Sequence, residues 1–346
     1  MSLTTLPRTD PTSILRYRDG LYAVDLLTAA IAEFDFFTWL AENPGDLEAI
    51  RARFGWARRP ADVLITLCKA NGYAAEDPGT GVIRATETAR EHLVAGSDWS
   101  LAPYYESLKD RTVARDFVRV LKTDRPAQWS GHLDADEDWH GAMLNEDFAV
   151  AFTAAMDCRG VFLGKKLADA LTDDLAGRKR VLDIGGGSGV YASALVANVP
   201  RLAGIVLEQE PVDRVAREKI AARGLADRVK VVTGDMFTCA YPEDCDVHLF
   251  SNVMHDWDIP EIEKLLVHSH AALEDGGLIV VHETFLNPEK TGPLPVAEYS
   301  CILVHSTRGR CYSWAEMAAC LEAAGFVEPR FFETAGDRGA VVARKP

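Results

Sequence analysis

The sequence predicts an α/β protein in which a mostly parallel sheet with a reversed last strand follows a helical N-terminal region. Three observations lead there. From residue 179 strand-like runs alternate with helical ones. A glycine cluster, VLDIGGGSG (181–189), sits where the first of those strands hands over to a helix. The last two strand candidates are separated by only GDRG, four residues, too few for a right-handed crossover, so they must form an antiparallel hairpin.

Taken in chain order, residues 12–42 carry apolar residues at helical spacing. DLEAIRARFG (46–55), RPADVLITLCKANGYAAED (59–77) and GVIRATETAREHLV (81–94) then read as helix, helix and a short turn-rich ribbon. That order looks like a winged-helix unit. Such a unit can bind DNA or serve as a helical dimerisation module. The second helix offers only Arg58, Arg59 and Lys69 as bases in an acidic surrounding, which favours dimerisation. A helical stretch at 101–176 follows, broken by TDRPAQWSGHLDADEDWHG (123–141). Within it Phe148, Phe152 and Met156 share one helix face, as core packing or as the roof of a ligand pocket.

The strand candidates are 180–185, 203–208, 229–235, 245–252 and 278–284, with helical stretches at 189–198, 211–223 and 260–274 between them. The hairpin strands are 328–335 and 340–345. Alternation of this kind gives a parallel sheet covered on both faces.

Composition narrows the function classes. A net charge of −15 over 346 residues argues against a nucleic-acid or anionic-membrane surface, since both need a basic footprint. The seven cysteines, at 68, 158, 239, 245, 301, 311 and 320, include no C-x-x-C pair, which suits a reduced cytosol better than a disulfide framework or a structural zinc site. The N-terminus has no apolar signal core and no run reaches the ~18 apolar residues of a membrane span. A soluble, cytoplasmic protein is expected.

Glycine carries no Cβ and tolerates positive φ, so a glycine-rich turn lets backbone come close to a ligand. Between a strand and a helix, that ligand lies at the carboxyl edge of the sheet. The run DIGGGSG fits the dinucleotide pattern G-x-G-x-x-G only in part. Gly185 and Gly187 match, while Val190 stands in the third position, and a nucleotide-binding dehydrogenase stays open on this motif alone.

Four further features converge on the same edge. Asp183 precedes the glycines, where it could face a cationic or amine-bearing ligand. Glu208 ends the second strand 23 residues beyond Gly185, the spacing of an acid that accepts from ribose hydroxyls. Asp235 in GDMF (234–237) is placed for an adenine amine, with Met236 and Phe237 for its flat faces. The fourth strand runs into SNVMHDWD (251–258) and brings His255 to that edge. Trp257 reads equally as packing or ligand contact, and His268 and His270 as surface residues of a helix.

With these motifs in place the sequence resembles the class I methyltransferases that use S-adenosylmethionine. More narrowly it resembles the small-molecule O-methyltransferases typified by the caffeate and acetylserotonin enzymes and by bacterial antibiotic-tailoring enzymes. The resemblance spans almost the whole chain. It implies a Rossmann-like seven-stranded sheet with the last strand antiparallel and an N-terminal all-helical winged-helix domain that makes a homodimer. Residues 1–100 would form that dimerisation domain, 101–176 a helical linker and pocket lid, and 177–346 the cofactor-binding catalytic domain. S-adenosylmethionine would be the cofactor, S-adenosylhomocysteine the product, and a small secondary metabolite the substrate, with neither nucleic acid nor membrane as partner.

By the same resemblance His255 is the general base that takes the proton from the attacking hydroxyl, and Glu283, 28 residues further on, orients it or holds its charge. Asp183, Gly185, Gly187, Glu208, Asp235, Met236, Phe237 and Ser251 would line the cofactor, and Phe152, Met156, Asp256 and His305 the substrate. One departure stands out: Cys311 occupies the place of the plant enzymes' second glutamate. Related methyltransferases that act on carbon beside a keto acid hold a metal through two histidines. An alternative is therefore metal-assisted C-methylation through His255 and His305.

Overall fold

The computed structural model describes residues 3–127 and 139–346, so the middle of the break read at 123–141 lies outside the described residues. The chain forms two compact units. One comprises Met1–Ser13, Ala135–Phe285 and Trp314–Pro346; the other comprises Ile14–Asp134 and Leu286–Ser313.

The second unit is mainly helical. Its core is built from Leu26, Phe36, Phe37, Leu40, Leu64 and Phe117, all almost fully buried, together with residues of the helix Leu294–Ser306. The stretch read as one helix at 59–77 splits into the helix Arg58–Ala70 and strand β1 (Ala74–Glu76). Gly72 explains the break: at φ 72° it adopts the left-handed backbone that ends helices. β1 pairs antiparallel with β2 (Ile83–Ala85), and the helix Glu87–His92 follows behind an N-cap in which Thr86 accepts from the Ala89 amide.

The first unit carries the seven-stranded sheet. Its strands are β3 (Arg180–Ile184), β4 (Ala203–Glu208), β5 (Val229–Thr233), β6 (Val247–Ser251), β7 (Leu278–Glu283), β8 (Val327–Glu333) and β9 (Gly339–Arg344). Their spatial order is β5-β4-β3-β6-β7-β9-β8. Strands β3 to β7 run parallel, and β9 is antiparallel to both β7 and β8. Each begins within one residue of, or inside, the run read from the sequence. The order reverses beside β3, and the glycine cluster lies at that switch point, where an open α/β sheet takes its ligands.

Two glycines set the place of the helix Glu146–Ala170. A Cβ on Gly160 would come 2.3 Å from Val190 Cγ1, and one on Gly164 2.9 Å from Ala194 Cβ, so this helix lies directly against the helix Val190–Asn198. Beside the buried row containing Ala149, Thr153, Asp157, Gly160 and Gly164 runs a half-buried row: Phe148, Phe152, Met156 and Arg159.

The surface reading of His268 and His270 is corrected. Both are half-buried. His268 stacks on Tyr241 with ring centroids 3.9 Å apart, and His270 meets the edge of Phe326 at 4.9 Å. Their partners come from distant segments, which local helical periodicity does not reveal.

Candidate active site

The glycine turn after β3 has three left-handed residues, Gly185 (φ 64°), Gly187 (56°) and Gly189 (70°). At Gly189 space also demands glycine, because a Cβ would lie 2.9 Å from Ile220 Cδ1. The turn leads directly into the helix Val190–Asn198.

Around it stand three carboxylates from neighbouring strand ends. Asp183 is fully buried; Oδ2 accepts from the Ala192 amide at 3.1 Å, while Oδ1 is buried with no hydrogen-bond partner. Burial, with the nearby Glu208 carboxylate adding to it, raises its pKa to about 7. Glu208 at the end of β4 accepts from the amides of Gly187 and Gln209, each at 2.9 Å. Burial raises its pKa despite those two bonds. Asp235, after β5, accepts from the Phe237 amide at 2.8 Å. Met236 Sδ lies 3.4 Å from where a Cβ on Gly185 would stand, so this turn closes on the glycine loop. Asp183, with one buried oxygen unpaired, and Glu208, whose charge burial disfavours, suit a ligand that is cationic and rich in hydrogen-bond donors.

The fourth strand delivers the histidine. After Ser251, Asn252 takes a left-handed φ of 56° and the chain enters a short turn of 3₁₀ helix, Met254–Asp256. Asp258, not His255, caps the next helix, accepting from the Ile259 amide at 2.9 Å. His255 is thereby left to other work. Its Nδ1 meets Glu283 Oε2 at 2.5 Å, and its Nε2 lies 3.7 Å from Asp256 Oδ1. The other Glu283 oxygen accepts from the amides of Val253 (2.8 Å) and Met254 (2.9 Å). Burial disfavours the imidazolium, but Glu283 and Asp256 outweigh it and raise the His255 pKa. Trp257 meets Phe237 edge to face at 4.7 Å, tying the histidine turn to the turn after β5.

Several residues here went unread in the sequence. His282 precedes Glu283 on β7 and bonds Ser251 Oγ through Nδ1 at 2.8 Å. Asn252 donates to Ser251 Oγ and to the Tyr191 hydroxyl. Arg159 continues the Phe152–Met156 row, and its charge acts on both His255 and His282. The histidine in LIVVHET was a visible signal for the first of these; the others depend on contacts between segments far apart in sequence.

His305 belongs to the second unit. It is buried there against Tyr22 (ring centroids 4.8 Å apart) and Phe117 (5.2 Å), with Nε2 3.4 Å from Asp116 Oδ2. Cys311 is buried in the same unit, its amide donating to Ser300 Oγ at 3.0 Å. Among the described residues no group of three or more His, Cys, Asp or Glu side chains is assembled to hold a metal ion.

Known proteins resemble this chain over most of its length. Residues 120–327 match the family model of the O-methyltransferase domain. The 3-hydroxy-5-methyl-1-naphthoate 3-O-methyltransferase of Streptomyces sahachiroi is 31% identical over 340 residues, covering 97% of this chain and 95% of the relative. The L-tyrosine C(3)-methyltransferase of Streptomyces lavendulae is 28% identical over 321 residues, 91% and 86% of the two chains. An O-methyltransferase family 2 protein from Planctomyces limnophilus, solved in complex with apigenin, superposes with a TM-score of 0.90 at 29% identity, covering 100% of this chain and 99% of the other. A strand order that reverses at a glycine turn, acids at three strand ends and a carboxylate-held histidine thus occur in a chain that belongs to the O-methyltransferase family and is an S-adenosylmethionine-dependent methyltransferase acting on a small molecule.

Proposed function

We propose that this enzyme methylates a hydroxyl on an aromatic secondary metabolite of the kind modified in antibiotic biosynthesis, with His255 as general base and Glu283 as its orienting partner. The observation that carries this is the 2.5 Å contact between His255 Nδ1 and Glu283. It sets Nε2 as the nitrogen that takes the hydroxyl proton, and Glu283 stabilises the imidazolium that forms. The sulfonium methyl is already activated, so alignment and deprotonation are what the protein must add. Alignment can supply up to about 7–11 kcal/mol.

In this reading Glu208 accepts from the ribose hydroxyls and Asp235 from the adenine amine. Met236 and Phe237 cover the ring, Gly185 and Gly187 admit the methionine tail, and Asp183 and Ser251 face it. Arg159 suits the tail's carboxylate, the cofactor's only anionic group. Phe152, Met156 and Asp256 line the substrate. Functionally, residues 1–100 serve dimerisation, 101–176 the pocket lid and 177–346 cofactor binding and catalysis, in the cytoplasm.

A homodimer through a winged-helix-like N-terminal region is supported by exposed apolar residues at three- and four-residue spacing: Ile14 (72% exposed), Tyr17 (91%), Leu21 (55%) and Val24 (39%). The alternative use of that region, DNA binding, has little support. The three bases of the helix Arg58–Ala70 are already paired, Arg58 with Glu48, Arg59 with Asp124 and Lys69 with Glu76.

The relatives include one named for C-methylation, so the decisive experiment is an activity screen of phenolic acceptors and aryl keto acids with and without chelator. Transfer to a phenolic oxygen that survives chelation and is lost in His255→Asn supports the proposal. Transfer to carbon that dies with chelator and with His305→Ala overturns it.

A further inference from the structure

His282 is buried and immediately precedes Glu283, the partner of the proposed base, yet base chemistry gives it no task. It and Glu283 are consecutive on β7, so their side chains leave opposite faces of the strand. Glu283 goes to His255. His282 goes to a chain of hydroxyls: its Nε2 lies 3.2 Å from Thr334 Oγ1 and its Nδ1 2.8 Å from Ser251 Oγ.

The direction of every bond in that chain can be worked out from one end. Thr334 Oγ1 is 3.0 Å from the Arg338 carbonyl, which can only accept, so the threonine proton points there. Thr334 must therefore accept from His282, and Nε2 carries a proton. Burial and the charges of Arg338 and Arg159 push the His282 pKa down to about 3, so the ring is neutral and Nδ1 is bare. Ser251 then donates to Nδ1. With its one proton committed inward, Ser251 cannot donate to Asn252, so the amide nitrogen of Asn252 faces it, at 3.2 Å. The same nitrogen donates to the Tyr191 hydroxyl at 3.0 Å. Both Asn252 N–H groups are now used, and its Oδ1 is left buried with no hydrogen-bond partner.

Apart from the Tyr191 hydroxyl, which accepts from Asn252 and keeps its own proton to donate, the chain ends in acceptors: a remaining lone pair on Ser251 Oγ and the orphan oxygen of Asn252. A carboxylate or a sulfonium offers nothing to donate there. An ammonium offers three N–H bonds and no acceptor. The cofactor's ribose and adenine donors go to acids on other strands. We propose that Thr334 and His282 are positioning residues that hold Ser251 and Asn252 as acceptors for the ammonium of the cofactor's methionine tail. This rests on the cofactor site proposed above.

The test compares two ligands by calorimetry: S-adenosylhomocysteine, which has the ammonium, and 5′-methylthioadenosine, which keeps the adenosine and thioether but lacks the tail. Thr334→Val should weaken S-adenosylhomocysteine about three- to tenfold, the worth of one hydrogen bond, and leave methylthioadenosine unchanged. Thr334→Ser should restore binding. In turnover, KM for S-adenosylmethionine should rise in Thr334→Val with kcat held. Equal weakening of both ligands, or no change in either, overturns the proposal. Wild-type enzyme that binds neither ligand removes the cofactor site itself. Nitrogen-15 spectra of the wild-type imidazoles give an independent reading: a bare Nε2 with a protonated Nδ1 on His282 overturns it even if the variants do not fold.

Discussion

Glu283 holds His255 Nδ1 with one oxygen and the amides of Val253 and Met254 with the other, so a single carboxylate fixes both the ring and the backbone turn that carries it. The histidine is oriented before any substrate arrives. Its charge is also tuned, because the buried carboxylate favours the imidazolium over what burial alone would allow.

A base must be unprotonated to act, so the acid limb of kcat/KM is expected above the ordinary histidine value of about 6.5. Removing the negative charge in Glu283→Gln leaves burial to dominate. The limb should then move to lower pH while the plateau falls. His255→Asn should cut kcat by about 10²–10⁴-fold with cofactor affinity kept. A pH–rate series on the three proteins checks both expectations.

Asp183 predicts a proton balance. Its folded pKa, about 7, is above the ordinary carboxylate value, so the stability it contributes is complete at acid pH, below that ordinary value, and is lost as pH rises through about 7. A bound cation favours the carboxylate. Cofactor binding near neutrality should therefore release protons, and should release none in strongly alkaline buffer. Calorimetry in buffers of different ionisation heat measures the release, and Asp183→Asn should abolish it.

Gly160→Ala tests the helix contact. The added methyl would meet Val190 Cγ1 at 2.3 Å and push the helix Glu146–Ala170 off its neighbour. A loss of about 1–3 kcal/mol is expected by urea denaturation, larger than the gain from replacing a helical glycine. KM for the acceptor should rise as Phe152 and Met156 shift.

Tyr17 is 91% exposed within the apolar N-terminal set. If that set is the dimer contact, Tyr17→Asp should convert a dimer to monomer in sedimentation velocity while the far-ultraviolet spectrum is unchanged.

The sequence by itself determined the sheet, its reversed strand and six of the residues at its carboxyl edge. Strand periodicity, glycine punctuation and the length of the last connection are local properties, and the ends of β3 to β7 meet in any sheet of that order. Asp183, Glu208, Asp235, Ser251, His255 and Glu283 could therefore be named from spacing and resemblance alone. Only the tertiary structure decided how those groups are paired. Glu283 reaching His255, His282 reaching both Ser251 and Thr334, Gly160 lying against Val190 and His268 stacking on Tyr241 all join segments far apart in the chain. The direction of each hydrogen bond, and the charge each buried group carries, follow from those contacts and the water they exclude, which no local pattern of residues encodes.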